Sequence, residues 1–345
     1  MTEQEKYSRL ILANTQGVGP TFFKKVLNDY QSINSFLQDN SSTLYKKVKH
    51  KLGIAKSVCS EIDTNSFVVY GEANYPINLL NIADAPLVLF YKGCIEIINQ
   101  RRNIAVVGTR NCTSYGERIT SMVSDLLVKN SINIVSGLAL GIDVIAHQSI
   151  LPKHADCCVA VLGTSVSNPA PRSNIKTYNS IIDNGGVVVS EFYNQETYDK
   201  YIFPRRNRII AGIADDTIVV EAPIKSGALI TARLAFDYSR TVYSFPNSIF
   251  SKNSGTNYLI SENISQAVES VEKLASYLKI TATNSTNSQD SITNSILVQL
   301  QENDLSFEQL AESVNIAKSD LTNYLLKLEI NGIISRSLTG YYRIK

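Results

Sequence analysis

Between residues 101 and 252 the chain alternates short, continuously apolar runs with longer amphipathic ones. The apolar runs are Ile104–Val107, Ile132–Val135, Val159–Leu162, Val187–Val189, Ile218–Val220 and Val242–Phe245, most of them rich in β-branched residues. Between them Gly116–Val128, Val144–Leu151, Ile175–Asn184 and Leu229–Tyr238 have helical length. Strands without polar alternation belong to a sheet covered on both faces, and regular alternation with helices makes them parallel. The pattern predicts an α/β fold: a Rossmann-type, doubly wound, mainly parallel sheet of about six strands, with ligands beyond their carboxyl ends.

The flanks read differently. Residues 1–65 break into short helices, and Gly17-Val18-Gly19-Pro20 between two of them has the form of a helix-hairpin-helix or SAM-like turn. The amides of such a turn can hold a phosphate, although simple packing accounts for it as well. Phe67–Tyr70 and Leu87–Tyr91 read as strands that open the sheet domain, placed at 66–280. In Thr281–Ser295, 11 of 15 residues are Thr, Ser or Asn, the composition of a flexible linker. Residues 296–345 follow: Phe307–Ala311 and Ala317–Leu328 read as helices, and Gly332–Ile334 with Gly340–Ile344 as a β-wing, together a winged helix.

Composition narrows the function. The 345 residues hold 33 Lys+Arg against 31 Asp+Glu, so an anionic partner must meet a local patch rather than bulk charge. Residues 101–252 carry 16 basic and 12 acidic groups, the one segment with a clear positive surplus. The winged-helix segment carries 5 against 6, which points to a protein contact or modulatory role rather than duplex reading. The five cysteines lack Cys-x-x-Cys spacing, and no metal site is expected. The N-terminus has no leader-like apolar core and no run suits a membrane span, so the expected location is cytoplasmic.

Each predicted strand ends in small or charged residues: Gly108-Thr109-Arg110, Ser136-Gly137 through Asp143, Gly163-Thr164-Ser165, Ser190-Glu191, and Glu221 followed by Lys225-Ser226-Gly227. Such turns expose amides, and a helix N-terminus adds positive dipole. One such nest suits a mononucleotide. Several in a row, beside Phe203-Pro204-Arg205-Arg206-Asn207-Arg208, suit the successive phosphates of a polynucleotide. The dinucleotide fingerprint and the Walker loop are both missing, so no cofactor is expected. Catalytic constellations are thin. Asp143 and His147 stand four apart and read as structural; Glu191 and Glu221 sit where an acid or base would, or fix Arg206 and Arg208 for phosphates, the preferred reading. With no Trp in the chain, base stacking falls to Tyr115, Phe203 or Phe245.

These residues carry a family likeness. Val107-Gly108-Thr109-Arg110 … Tyr115-Gly116, Ser136-Gly137-Leu138-Ala139-Leu140-Gly141-Ile142-Asp143, Phe203-Pro204-Arg205-Arg206-Asn207-Arg208-Ile209-Ile210 and Lys225-Ser226-Gly227-Ala228-Leu229-Ile230-Thr231-Ala232 resemble, in order, the DNA-processing protein A (DprA, or Smf) family over about residues 66–260. The resemblance implies an extended Rossmann domain that binds and protects single-stranded DNA, loads the RecA recombinase in natural transformation, acts as a homodimer and is not an enzyme. The DNA-binding residues it implies are Gly108, Thr109, Arg110, Ser136, Gly137, Arg206, Asn207, Arg208, Lys225, Ser226 and Gly227. Where the family reads Gly-x-Gly-x-Asp-x-x-Tyr-Pro-x-x-Asn, this chain runs from Gly163 to Asn174 without the second Gly or the Tyr. Arg172 and Lys176, beside Asn174, are expected to compensate through phosphates. The rival reading is a nucleotide phosphoribohydrolase of the lysine-decarboxylase-like class, whose Pro-Gly-Gly-x-Gly-Thr-x-x-Glu motif is missing here.

Overall fold

A computed structural model describes residues 1–193, 201–280, 288–314, 316–330, 332–337 and 340–344. The chain divides into two compact units, Met1–Thr281 and Ala282–Lys345.

The first unit opens with four helices, α1 (Glu3–Ala13), α2 (Pro20–Asp29), α3 (Ile33–Gln38) and α4 (Thr43–Cys59). Strands and helices then alternate: β1 (Phe67–Val69), α5 (Ile77–Leu80), β2 (Val88–Gly93), α6 (Ile97–Gln100), β3 (Asn103–Val107), α7 (Ser114–Lys129), β4 (Asn133–Ser136), α8 (Ile142–Gln148), β5 (Cys158–Leu162), α9 (Ile175–Asp183) and β6 (Val187–Ser190). After them come α10 (Ile202–Ile213), β7 (Asp216–Val219), α11 (Gly227–Asp237), β8 (Thr241–Ser244), α12 (Gly255–Ser261), β9 (Gln266–Ala267) and α13 (Val271–Tyr277).

One sheet of nine strands runs β1-β2-β6-β5-β4-β3-β7-β8-β9. From β6 to β9 all neighbours are parallel. All six expected runs are strands of this stretch. The sheet exceeds the expected six because β9 extends one edge, while β2 pairs antiparallel with β6 and β1 with β2 at the other. Side chains alternate as a strand requires. Ala105, Val107, Val135 and Val161 enter the core on one face; Ile104, Val106, Ile134 and Ala160 enter the core on the other. The strand order climbs from β3 to β6 in one direction and from β7 to β9 in the other. The crevice at the carboxyl ends of β3 and β7 is therefore the switch point where such sheets bind ligands.

Local chemistry sets the helices around that crevice. Thr113 caps α7 by accepting from the Gly116 amide, with Glu117 in the first turn and Lys129 in the last. Ser226 caps α11 through the Leu229 amide. α10 contains the Phe203–Arg208 segment; Pro204 is tolerated because it lies in the first turn, where an amide has no helical partner. Around α1–α4 a third core gathers Leu10, Phe23, Phe36 and Leu52 with Phe67 and Phe90 of β1 and β2.

The second unit holds α14 (Ser288–Glu302), α15 (Phe307–Val314), α16 (Lys318–Ile330) and an antiparallel pair, β10 (Ile334–Arg336) with β11 (Tyr342–Ile344). Ile296, Leu310, Leu321, Leu325 and Tyr342 form its core. Of the expected linker, residues 281–287 lie outside the described residues, and from Ser288 the chain is helical.

His147 on α8 is a stability switch. Its ring is fully buried, and among the described residues neither nitrogen has a hydrogen-bond partner. Burial pushes its pKa from 6.5 down to about 4. A folded pKa below the unfolded one means the unfolded chain binds the proton first. Stability is thus intact above about pH 6.5 and falls as pH drops toward about 4, by roughly 3 kcal/mol at most. Urea titrations across that range should show His147→Leu losing less stability on acidification than the wild type. Equal losses would refute this.

Candidate nucleic-acid interface

A cavity of about 890 Å³ opens at the switch point, lined by Val107–Arg110, Ala139, Asp143, the first turns of α10, and Pro223–Thr231 with Arg233. Its floor is a buried polar lattice. Arg206 is only 6% exposed. Its Nη1 donates to the carbonyl oxygens of Gly137 (2.6 Å) and Val161, and its Nε donates to Asn207 Oδ1. The Asp143 carboxylate is also buried, beside the amides of Gly137, Ala139 and Gly108. Burial raises its pKa, against the pull of Arg206 and those amides; burial likewise lowers that of Arg206, against Asp143.

This lattice bears on two of the expected residues. The Ser136-Gly137 nest is filled from within the chain: its amide faces Asp143, and Ser136 is buried with its hydroxyl donating to the Val106 carbonyl. Arg206 lines the cavity as well, with its Nη1 and Nε engaged by the carbonyls of Gly137 and Val161 and by Asn207. Gly137 is dictated by this packing, because a Cβ there would lie 2.4 Å from Arg206 Nη1. Gly141 is dictated by its φ of +74° and by the Thr109 carbonyl, 2.2 Å from where a Cβ would sit.

Other expected residues also serve the frame. Thr109 donates its amide to the Glu221 carbonyl and accepts at its own carbonyl from Ile142. Asn207 Nδ2 donates to the Gly227 carbonyl at 3.0 Å, tying α10 to the start of α11, and Ser226 is the cap of that helix. Arg208 is drawn away from the cavity: its Nη2 meets both Glu191 oxygens at 2.6 Å and its Nη1 the Asp84 carbonyl. Glu191 thus pairs with an arginine as expected. Glu221 does not; it is fully buried and accepts from the Thr113 amide and hydroxyl and from Asn247. Asn174 is buried, donating to the Leu138 carbonyl, while Arg172 and Lys176 are exposed beyond β5; none of the three lines the cavity.

What the rim offers a ligand is a smaller set. Arg110 and Lys225 are exposed there, joined by Arg233 of α11, while Gly227 keeps backbone exposed between them. The Arg110 guanidinium lies over the Phe203 ring, 5.5 Å from its centre. Of the three aromatic candidates, Phe203 lines the cavity, Phe245 is buried, and Tyr115 is exposed elsewhere with its hydroxyl donating to Pro246. Sequence reading missed Arg233 and the Asp143 filling. Lys225 precedes the cap of α11 and Arg233 lies within the helix, so no helical spacing in the sequence linked the two. Cations on a rim beside an aromatic ring can grip a phosphate backbone and stack a base at once.

Among the described residues, no helix is long and apolar enough to cross a membrane, and no cluster of three or more metal-ligating side chains occurs.

Comparison with known proteins places this architecture. The profile described as DNA recombination-mediator protein A matches residues 66–279. Protein Smf of Escherichia coli is 32% identical over 85% of this chain and 81% of its own length. The X-ray structure of DNA processing protein A from Streptococcus pneumoniae superposes with a TM-score of 0.65 at 30% identity, covering 80% of this chain and 98% of that one. A Helicobacter pylori DNA processing protein A, solved to describe its single-stranded DNA binding mode, matches at 28% identity with a TM-score of 0.56, over 62% of this chain and 95% of its own.

Proposed function

The chain belongs to the DNA recombination-mediator protein A family, and from that membership we propose that it binds single-stranded DNA at the switch-point cavity and passes it to a RecA-type recombinase. On this reading it works in the cytoplasm as a homodimer, in natural transformation or general recombination, and catalyses no reaction of its own. The observation that carries the proposal is the rim itself: Arg110, Lys225 and Arg233 line a cavity together with Phe203. A single strand presents both groups such a rim can use, phosphates and unstacked bases; a duplex hides the bases.

Fluorescence anisotropy with labelled single- and double-stranded oligonucleotides tests this. Single strands should bind more tightly than duplex of equal length, and binding should weaken steeply between roughly 50 and 200 mM salt as counterions are released. Equal affinity for both forms, or no binding at the lower salt, would refute the reading. The phosphoribohydrolase alternative predicts release of free base from nucleoside monophosphates, and its absence from the purified protein would dispose of that rival.

A further inference from the structure

We propose that α4, with the turn between α1 and α2, forms a second nucleic-acid surface onto which the strand held at the cavity continues; the inference rests on the single-strand reading above. From Asn40 to Ser60 the chain holds five lysines, Lys46, Lys47, Lys49, Lys51 and Lys56, and no acidic residue. All five are exposed, and among the described residues none of them forms an ion pair. The helix has already spent its apolar stripe, with Val48, Leu52, Ala55 and Cys59 buried in the core. At about 1.5 Å per residue, the lysines cover roughly 15 Å of surface. Unpaired like charges at this density repel one another and are relieved by a polyanion.

The row connects to the cavity by contiguous residues. Lys51 Nζ lies over Gly17, 3.5 Å from where a side chain would begin. The Thr15–Pro20 turn lines a further cavity of about 510 Å³ together with Arg205 and Arg208 of α10, both of which pair with Glu191 there. Arg205 adjoins Pro204, which lines the switch-point cavity. A strand leaving Phe203 thus meets Arg205, then the Gly17 turn, then the lysines. A membrane would fit such a helix less well: apart from Ile54 and Val58 its apolar side chains face inward, leaving too little to insert into lipid.

The test changes all five lysines to Gln in the full-length chain (K46Q, K47Q, K49Q, K51Q, K56Q) and compares oligonucleotides of about 8 and about 40 nucleotides. The short one should bind as to wild type. The long one should lose tenfold or more in affinity, and its salt slope should fall by about 2 if roughly three phosphates are engaged. The five Lys→Arg changes should keep the long-oligonucleotide affinity, which separates charge from folding. Unchanged affinity of the Gln variant for the long strand overturns the proposal. So does wild-type binding to phosphatidylglycerol vesicles that the Gln variant loses while DNA binding stays intact. Should wild type ignore the short strand and the long one still depend on the lysines, the cavity reading fails and the lysine surface stands.

Discussion

Replacing Arg206 by Met should lower the stability of the first unit by roughly 3–5 kcal/mol, seen as a drop in Tm of about ten degrees. Methionine fills much of the volume but cannot donate. The carbonyls of Gly137 and Val161 then lose their partner in a buried place, and Asp143 loses the positive charge that opposes its desolvation. The loss should depend on pH. Without Arg206 the folded pKa of Asp143 climbs further above its unfolded value, so the variant loses stability as pH rises through that raised pKa. The gap between wild type and variant should be wider at about pH 7.5 than at about pH 5. Asp143→Asn added to Arg206→Met should recover part of the loss, since an amide side chain carries no charge to strand. Full additivity of the two changes would mean that they do not act as a pair.

This lattice also explains which parts of the molecule the sequence conveys. The six inner strands were legible because burial on both faces forbids polar alternation, so each appears as an unbroken apolar run. The outer strands carry less of that signal. Gln266-Ala267 is too short to show any period; β1 and β2 read as strands, but their antiparallel pairing is one that no adjacent helix announces. The sequence offers Arg206 and Arg208 together, beside Arg205, because the segment is dense in basic residues. On α10, at about 100° per residue, three such side chains cannot face one ligand. Arg206 turns into the core, Arg208 to Glu191 and Asp84, and Arg205 to the surface beside Phe192 and the other side of Glu191. Charge summed over long segments hid the lysines of α4, since the acidic residues of neighbouring helices cancel them in the sum but not in space.

Changing Arg110 and Lys225 together to Ala should weaken single-stranded DNA binding by about a hundredfold at physiological salt while leaving Tm unchanged. Both side chains are exposed, so neither removal opens the core. A hydrogen bond to a charged group is worth about 1.5–3 kcal/mol, and two lost phosphate contacts reach that factor of a hundred without further assumptions. The salt slope should fall by about 0.7 for each contact removed. Phe203→Ala offers the complementary signature: a stacked base contributes about 1–3 kcal/mol, so affinity should fall about fivefold or more with little change in slope. Phe203 also holds Arg110 by its ring face, so some of the arginine's effect should travel with it and the two losses should add to less than their sum. Arg208→Met separates site from frame, because it breaks the buried pair with Glu191 and should cost stability before it costs slope. If the Arg110/Lys225 variant bound single strands with wild-type affinity and slope, the strand would have to lie elsewhere, and the cations of the rim would be ordinary solvated charge.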